Sequence, residues 1–165
     1  MIQALESKIV KPIGFDEGVQ RIVGTILDKK DTNAPVLVFI NGYPNSGKSY
    51  LKKTVRDTLC KNKIFGWCGM RGDPLDVFPE RGLFWDETIK DFVLSNKLDY
   101  FLIEDIGNVY SAELYTKEMF NKPFDLKVLV GDNSGFIDIL GIERGDYDLI
   151  IRNEFASNHR KLCKD

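Results

Sequence analysis

The stretch VLVFINGYPNSGKSYL, residues 36–51, decides how the rest of the chain is arranged. Its apolar start, VLVFI, predicts a buried β-strand, and the segment that begins at Lys48 is compatible with a helix. Between them lies the pattern G-x-x-x-x-G-K-S, formed by Gly42, Gly47, Lys48 and Ser49. Glycines let the backbone curl so that successive N–H groups point toward one centre, and the helix N-terminus adds its positive dipole end. The spacing therefore predicts a loop that binds phosphate groups.

Each residue type in this loop has a predicted task. Lys48 is expected to reach the β- and γ-phosphates of a nucleotide from a solvent-filled mouth, and the Ser49 hydroxyl to ligate Mg²⁺. A chance glycine-rich turn is the alternative, but the strand before the loop and the helix after it argue against that alternative. The predicted phosphate-binding residues are Gly42, Tyr43, Pro44, Asn45, Ser46, Gly47, Lys48, Ser49 and Tyr50.

The composition is that of an ordinary globular chain and excludes several classes of function. The 165 residues, of which 43% are apolar, predict one domain over residues 1–165 with a sizeable core. A net charge of −2 provides no basic field for nucleic acid or for an anionic membrane. No apolar run approaches the ~20 residues of a membrane span, and the start of the chain lacks a secretory apolar core. The three cysteines lack C-x-x-C spacing, so we expect reduced thiols in a cytoplasmic protein. The sequence does not decide between a monomer and a homodimer.

Apolar runs alternate with helix-forming segments along the whole chain. Helices are predicted at about 15–30, 48–60, 86–95 and 111–120, and strands at 36–41, 63–68, 100–103, 126–130 and 148–151. Short continuous apolar strands that alternate with helices are typical of a parallel sheet covered on both faces. The sequence therefore predicts an α/β fold with a five-stranded parallel sheet and helices on both faces.

Polar residues that follow the predicted strands are the candidates for chemistry, because ligands gather at the carboxyl ends of parallel strands. Glu104 and Asp105 follow the third strand, where a carboxylate beside the phosphate loop suits Mg²⁺; the alternative is an acidic pair that merely ends a buried strand. Asp73 lies in the loop after the second strand and is a candidate to accept a proton from a hydroxyl. A turn-forming role for Asp73 before Pro74 is equally compatible with the sequence.

One apparent nucleotide motif is set aside. Residues 96–99, NKLD, match the guanine-reading pattern N-K-x-D, but they precede a predicted strand instead of following one. We therefore predict a turn at the opposite edge of the sheet from the phosphate loop.

The order of these parts resembles the uridine kinase, phosphoribulokinase and nicotinamide riboside kinase group of P-loop NTPases. The resemblance covers most of residues 15–154 and is carried by an upstream helix, the GxxxxGKS loop, Asp73 and the segments FLIEDIG, DLKVLV and DLIIRN. It implies the three-layer P-loop NTPase fold, with ATP and Mg²⁺ as cofactors and a small-molecule acceptor. It also implies Asp73 as the general base on a substrate hydroxyl and Glu104 as the residue that holds magnesium through water.

The chain departs from that group in its lid. Those kinases usually carry several arginines between the fourth and fifth strands, whereas residues 131–147 contain Arg144 as their one basic residue. We therefore predict a reduced lid at about 131–147. Arg144 either stabilises the transferring phosphoryl group or is an ordinary surface residue, and Arg71 or Arg81 could assist from the other loop.

These observations leave three functions open. The leading prediction is an ATP-dependent phosphotransferase that moves the γ-phosphoryl group to a hydroxyl of a small metabolite such as a nucleoside, with Lys48, Asp73 and Arg144 catalytic. Trp85 is then a candidate for the substrate pocket, unless it only packs its loop against the sheet. The first alternative is a nucleoside-monophosphate kinase, with Arg71 and Arg81 on the acceptor phosphate. The second is a nucleotide-binding module with little turnover.

Overall fold

The computed structural model describes residues 10–30, 33–42, 46–70, 97–105, 120–131 and 144–152, and the isolated positions Asp91, Ser95, Glu113 and Lys117. The elements in these parts are α1 (Phe15–Lys29), β1 (Val36–Asn41), α2 (Lys48–Lys61), β2 (Gly66–Met70), β3 (Tyr100–Asp105), β4 (Leu126–Val130), a 3-10 turn (Arg144–Asp146) and β5 (Leu149–Ile151). The four isolated positions and Phe120 are also helical. None of the helices in these described parts is long and apolar enough to cross a membrane.

The strands form one parallel sheet in the order β2-β3-β1-β4-β5, with β1 at its centre. All six residues of β1 are buried, because the sheet is covered on both faces. The prediction of an α/β fold is therefore confirmed. The prediction for β2 was wrong by a few residues: Lys63 has a φ of 59° and Ile64 still donates to the carbonyl of Leu59, so the turn after α2 delays the strand to Gly66.

The front face of the sheet is defined here as the face that α1 and α2 cover. Their buried residues recur at three-and-four spacing, which places them along one side of each helix. Leu27 lies at the margin of this side of α1 and is 36% exposed. The front core contains Val19, Ile22, Val23 and Ile26 of α1 and Leu51, Val55 and Leu59 of α2, packed on Val36, Val38, Ile40, Leu102 and Val128.

The back face carries the second core cluster, built on the alternate residues of the same strands. Phe120, a helical residue, packs on Phe101 with ring centroids 5.0 Å apart, and Phe124 stacks on Phe39 at 5.1 Å. Tyr147 is fully buried in this cluster. The chain thus leaves β1 over the front face toward one edge, and passes from β3 to β4 over the back face toward the other edge. The two crossovers run in opposite directions, one over the front face and the other over the back face. They therefore have the same hand, as expected of parallel β-α-β units.

Three aspartates form hydrogen bonds at the end of the sheet where the strands begin. Each precedes an apolar strand in the sequence (DYFLI, DLKVL and DLII), and its carboxylate accepts a backbone N–H from a neighbouring strand or from the turn before one. The pairs are Asp99 with Phe65 (3.1 Å), Asp125 with Leu37 (2.8 Å) and Asp148 with Lys127 (2.9 Å). In the described part of the NKLD segment, Lys97 lies in a turn at this same end of the sheet, just before β3. The prediction that the segment lies away from the phosphate loop is confirmed for these residues.

Candidate functional site

The candidate site lies at the carboxyl end of β1, where the direction of the chain connections reverses. The connection after β1 crosses to the front face, whereas the connection after β3 crosses to the back face. Ligands of open parallel sheets bind at such a switch point, outside the carboxyl ends of the strands. Gly42 follows β1, Glu104 lies near the end of β3 and Gly131 follows β4, so three strand ends converge here.

The first glycine of the loop lies against β4. A Cβ atom on Gly42 would be only 2.4 Å from the carbonyl oxygen of Val130 and 2.7 Å from the Ser46 Oγ. No larger residue fits unless the β4 backbone moves, so the glycine is required by this close approach. Gly47, the residue that caps α2, has a φ of 96°, a left-handed conformation that glycine adopts without strain. Tyr43, Pro44 and Asn45 lie outside the described residues.

Asn41 holds the start of the loop, a role that the sequence analysis missed. Its Oδ1 accepts the N–H of Gly42 at 2.8 Å, and its Nδ2 donates to the hydroxyl of Tyr147 at 2.6 Å. Both side chains are fully buried. The sequence signal was an amide residue that ends an otherwise apolar strand, but its partner lies 106 positions along the chain. The loop is therefore hydrogen-bonded to the back-face core.

Lys48 and Ser46, at the junction of the loop and α2, are both buried. The Nζ of Lys48 donates to the carbonyl oxygen of Gly42 at 2.6 Å, so the side chain folds across the loop. Lys48 is only 4% exposed, which makes the expectation of a solvent-filled mouth around it wrong. Ser46 is 1% exposed, and within the part of the chain that the structure describes its Oγ is the one buried side-chain polar atom without a hydrogen-bond partner. A buried hydroxyl without a partner and a buried ammonium, both close to Gly42, form an arrangement that an anion would complete.

The N-terminus of α2 also favours an anion. The first N–H groups of a helix have no partners within the helix, and they carry the positive end of its dipole. The first turn of α1 contains Asp16 and Glu17, which complement its dipole. The first turn of α2 contains no acidic residue, and no side chain bonds to its backbone from the capping position Gly47. The positive end of α2 is thus not neutralised by its own sequence, and it points toward the loop.

Glu104 faces the first turns of α2. Its carboxylate is on the front face of β3, 4% exposed, and the Ser49 hydroxyl oxygen lies 3.3 and 3.4 Å from its two oxygens. Lys52, one turn further along the helix, places its Nζ 2.5 Å from Oε2 of the same carboxylate. Oxygen ligands about 2.1 Å from one Mg²⁺ in octahedral geometry lie about 3 Å apart, so the hydroxyl and carboxylate fit a shared magnesium ion. In the parts of the chain described, no cluster of three or more His, Cys, Asp or Glu side chains is placed to hold a metal.

Tyr50, the last of the predicted loop residues, presents an aromatic ring beside the site. Its ring stacks on that of Phe15 at the start of α1, with centroids 5.2 Å apart, and the residue is 54% exposed. Ile13, just before α1, pairs with Ile151 of β5, and Arg152 donates to the carbonyl of Ile13. The start of α1 is thereby fixed beside the carboxyl end of β5.

The other predicted site residues are not brought together by the described structure. Asp73, Arg71, Arg81 and Trp85 lie outside the described residues, and so do the side chains of Asp105 and Arg144. The sheet pairs the backbone of Asp105 with Asn41. Of the predicted lid, the 3-10 turn at Arg144–Asp146 is described, and it leads directly to the buried Tyr147.

The two described cysteines are free thiols, as predicted. Cys60 is exposed, whereas burial raises the pKa of the Cys68 thiol, which lies 3.9 Å from the hydroxyl of Tyr100. Burial likewise raises the pKa of Tyr100. Both groups therefore stay protonated near neutral pH, and neither has the lowered pKa of a reactive nucleophile.

Comparison of the chain with models of known protein families and with curated proteins found no match.

Proposed function

We propose that this chain is a P-loop NTPase that transfers the γ-phosphoryl group of ATP to a hydroxyl of a small metabolite such as a nucleoside. One observation carries the proposal. The Ser46 hydroxyl is buried and lacks a partner, and Ser46 lies just before Lys48, the buried first residue of α2. These groups share one loop at the carboxyl end of the central strand, and phosphate is the anion that helix N-termini and such loops bind most readily.

The described side chains supply the binding half of this activity. The loop N–H groups and Lys48 would hold the phosphates, and the Ser46 hydroxyl would donate one further hydrogen bond. Ser49 and Glu104 would hold Mg²⁺, which neutralises charge on the transferring phosphoryl group. An α/β sheet whose central strand leads into the loop supports the finer assignment to the three-layer, five-stranded P-loop fold. ATP and reduced thiols coincide in the cytoplasm, where we place the protein.

The acceptor half rests on the resemblance to the uridine kinase group. In this proposal Asp73 takes the proton from the acceptor hydroxyl, and Arg144 stabilises the charge on the phosphoryl group. Arg71, Arg81 and Trp85 would line the acceptor pocket. Transfer then depends on positioning and on electrostatic stabilisation, since the phosphoryl group needs little covalent help from the protein.

Two measurements on the full chain test the proposal. Titration calorimetry with ATP, first in EDTA and then with Mg²⁺, measures nucleotide binding. A coupled assay for ADP, run with a panel of nucleosides, nucleoside monophosphates and sugars, measures turnover. We expect ATP binding that Mg²⁺ strengthens, and ADP production that rises at least tenfold with one hydroxyl acceptor. The variant Lys53→Met, which changes an exposed lysine paired with Asp57, is the matched control and should behave as wild type.

The other outcomes separate the alternatives. Stimulation by monophosphates alone would replace the proposal with a monophosphate kinase. ATP binding without any acceptor-dependent ADP would leave a nucleotide-binding module. Failure to bind ATP or GTP, with or without Mg²⁺, would refute the phosphate-loop assignment itself.

A further inference from the structure

Lys52 has a position that the phosphate-loop motif does not explain. The motif ends at Ser49, yet Lys52 lies on the same side of α2 three residues later and forms the shorter contact with Glu104. Its side chain is 14% exposed, so most of that side chain is removed from water. The next residue, Lys53, is 64% exposed and pairs with Asp57 on the solvent side of the helix. Two adjacent lysines therefore have different environments.

The ammonium group serves Glu104 as a counterion. A carboxylate that is 4% exposed is costly to bury unless an opposite charge lies close to it. Lys52 places a positive charge 2.5 Å from Oε2, and the Ser49 hydroxyl faces the same carboxylate. The ion pair thus lets the sheet carry a buried acid at the end of β3.

A divalent cation on Ser49 and Glu104 would compete for this same carboxylate. A cation about 2.1 Å from Oε2 would lie within about 5 Å of the Lys52 ammonium if the lysine kept its place. Like charges at that separation repel strongly where water is largely excluded. The lysine ammonium therefore has to move away from Glu104 before the cation can bind the carboxylate tightly. The flexible four-carbon stem of the lysine allows that movement.

We infer that Lys52 is a resident counterion of Glu104 that a divalent cation must displace, so that the site binds metal tightly only together with nucleotide phosphates. The phosphates supply the negative charge that offsets the loss of the Lys52–Glu104 pair. The inference rests on the proposed function, because it takes Ser49 and Glu104 as the metal ligands. It adds a positioning residue and an order of binding.

The test measures metal binding to the nucleotide-free protein. Mn²⁺ is titrated into wild type, Lys52→Met and Lys53→Met, and free Mn²⁺ is followed by electron paramagnetic resonance. We expect Lys52→Met to bind Mn²⁺ about tenfold more tightly than wild type, within the range usual for coupled sites, and Lys53→Met to match wild type. The melting temperature gives a second readout: Lys52→Met should melt lower than wild type without metal and regain stability as Mn²⁺ is added. Lys52→Gln, which keeps a polar side chain, replaces Lys52→Met if the latter does not fold.

Every other result overturns the inference. Equal or weaker Mn²⁺ binding by the Lys52 variants would show that the lysine does not compete with the cation, and so would undetectable binding by all proteins. Tighter binding that persists when Glu104→Gln is added would place the cation elsewhere. ATP binding in EDTA, measured on the same samples, keeps the two proposals apart. If ATP binds and the Mn²⁺ result is negative, only the role of Lys52 falls; if ATP does not bind, the proposed function falls whatever Mn²⁺ does.

Discussion

Replacing Lys48 by methionine separates binding of phosphate from stability of the fold. Methionine approximates the length of the lysine stem but removes the ammonium that now donates to Gly42. If the ammonium holds the β- and γ-phosphates, its loss removes charge-assisted hydrogen bonds worth about 2 to 4 kcal/mol in total. That loss corresponds to an ATP affinity lowered roughly 30-fold to 700-fold.

The expected change in stability is much smaller, because two effects oppose each other. The variant loses a hydrogen bond from a charged donor, worth about 1.5 to 3 kcal/mol, and the Gly42 carbonyl loses that donor. It also no longer buries an ammonium at 4% exposure, which costs several kcal/mol in the wild type. The net change in the free energy of unfolding should stay within about 2 kcal/mol, or about 4 to 8 °C in melting temperature for a chain of this size.

Calorimetric ATP titration and thermal melting, run in parallel on Lys48→Met and on the control Lys53→Met, check both numbers. Unchanged ATP affinity in Lys48→Met would remove Lys48 as a phosphate ligand. Loss of cooperative melting would show that the lost hydrogen bond to Gly42 is not offset by the relieved cost of burying the ammonium. The lysine would then be required for the folded structure. Lys53→Met, altered on the solvent side of the same helix, should change neither quantity.

Three further variants or probes follow from the geometry. Gly42→Ala forces a Cβ against the backbone carbonyl of Val130 and should cost about 1 to 3 kcal/mol by thermal melting; a wild-type melting curve would contradict this close approach. Tyr147→Phe removes the acceptor of Asn41 Nδ2 in a buried pair and should cost about 1 to 3 kcal/mol by urea unfolding; no measurable change would show that the pair does not hold the loop. Because burial raises the pKa of Cys68, its thiolate fraction at pH 8.5 is lowered, and mass spectrometry should show slower alkylation by iodoacetamide than for glutathione.

Local patterns in the sequence predicted the elements that frame the site. The apolar run before Gly42 and the glycine spacing after it depend on neighbouring residues alone, so β1 and the start of α2 were predicted at their observed positions. The end of β3 was harder to predict from the sequence. Glu104 reads as a polar residue after an apolar run, yet it continues the strand because the register with Ile40 persists.

The contacts inside the site could not be predicted in the same way, because they join distant parts of the chain. The bond from Asn41 to Tyr147 and the pair of Lys52 with Glu104 depend on how the sheet is ordered and where α2 lies over it. The burial of Lys48 depends on how the loop closes. The aspartates before β3, β4 and β5 are a different case, because each lies directly before the apolar residues of a predicted strand, a pattern that is visible in the sequence alone.

The described part of the loop is held by elements from both faces of the sheet, and this bears on how it would bind a ligand. Asn41 connects it to Tyr147 in the back-face core, Gly42 rests on β4, and α2 is packed on the front face through Leu51. Because these contacts form on folding, the groups that would face a phosphate are positioned before it arrives, and binding need not supply the entropy of ordering them. Glu104 is the exception, since its present partner has to move before a metal can use it. In the proposed site, the described groups that would face the phosphates are therefore preorganised, whereas metal binding would require an exchange of counterions.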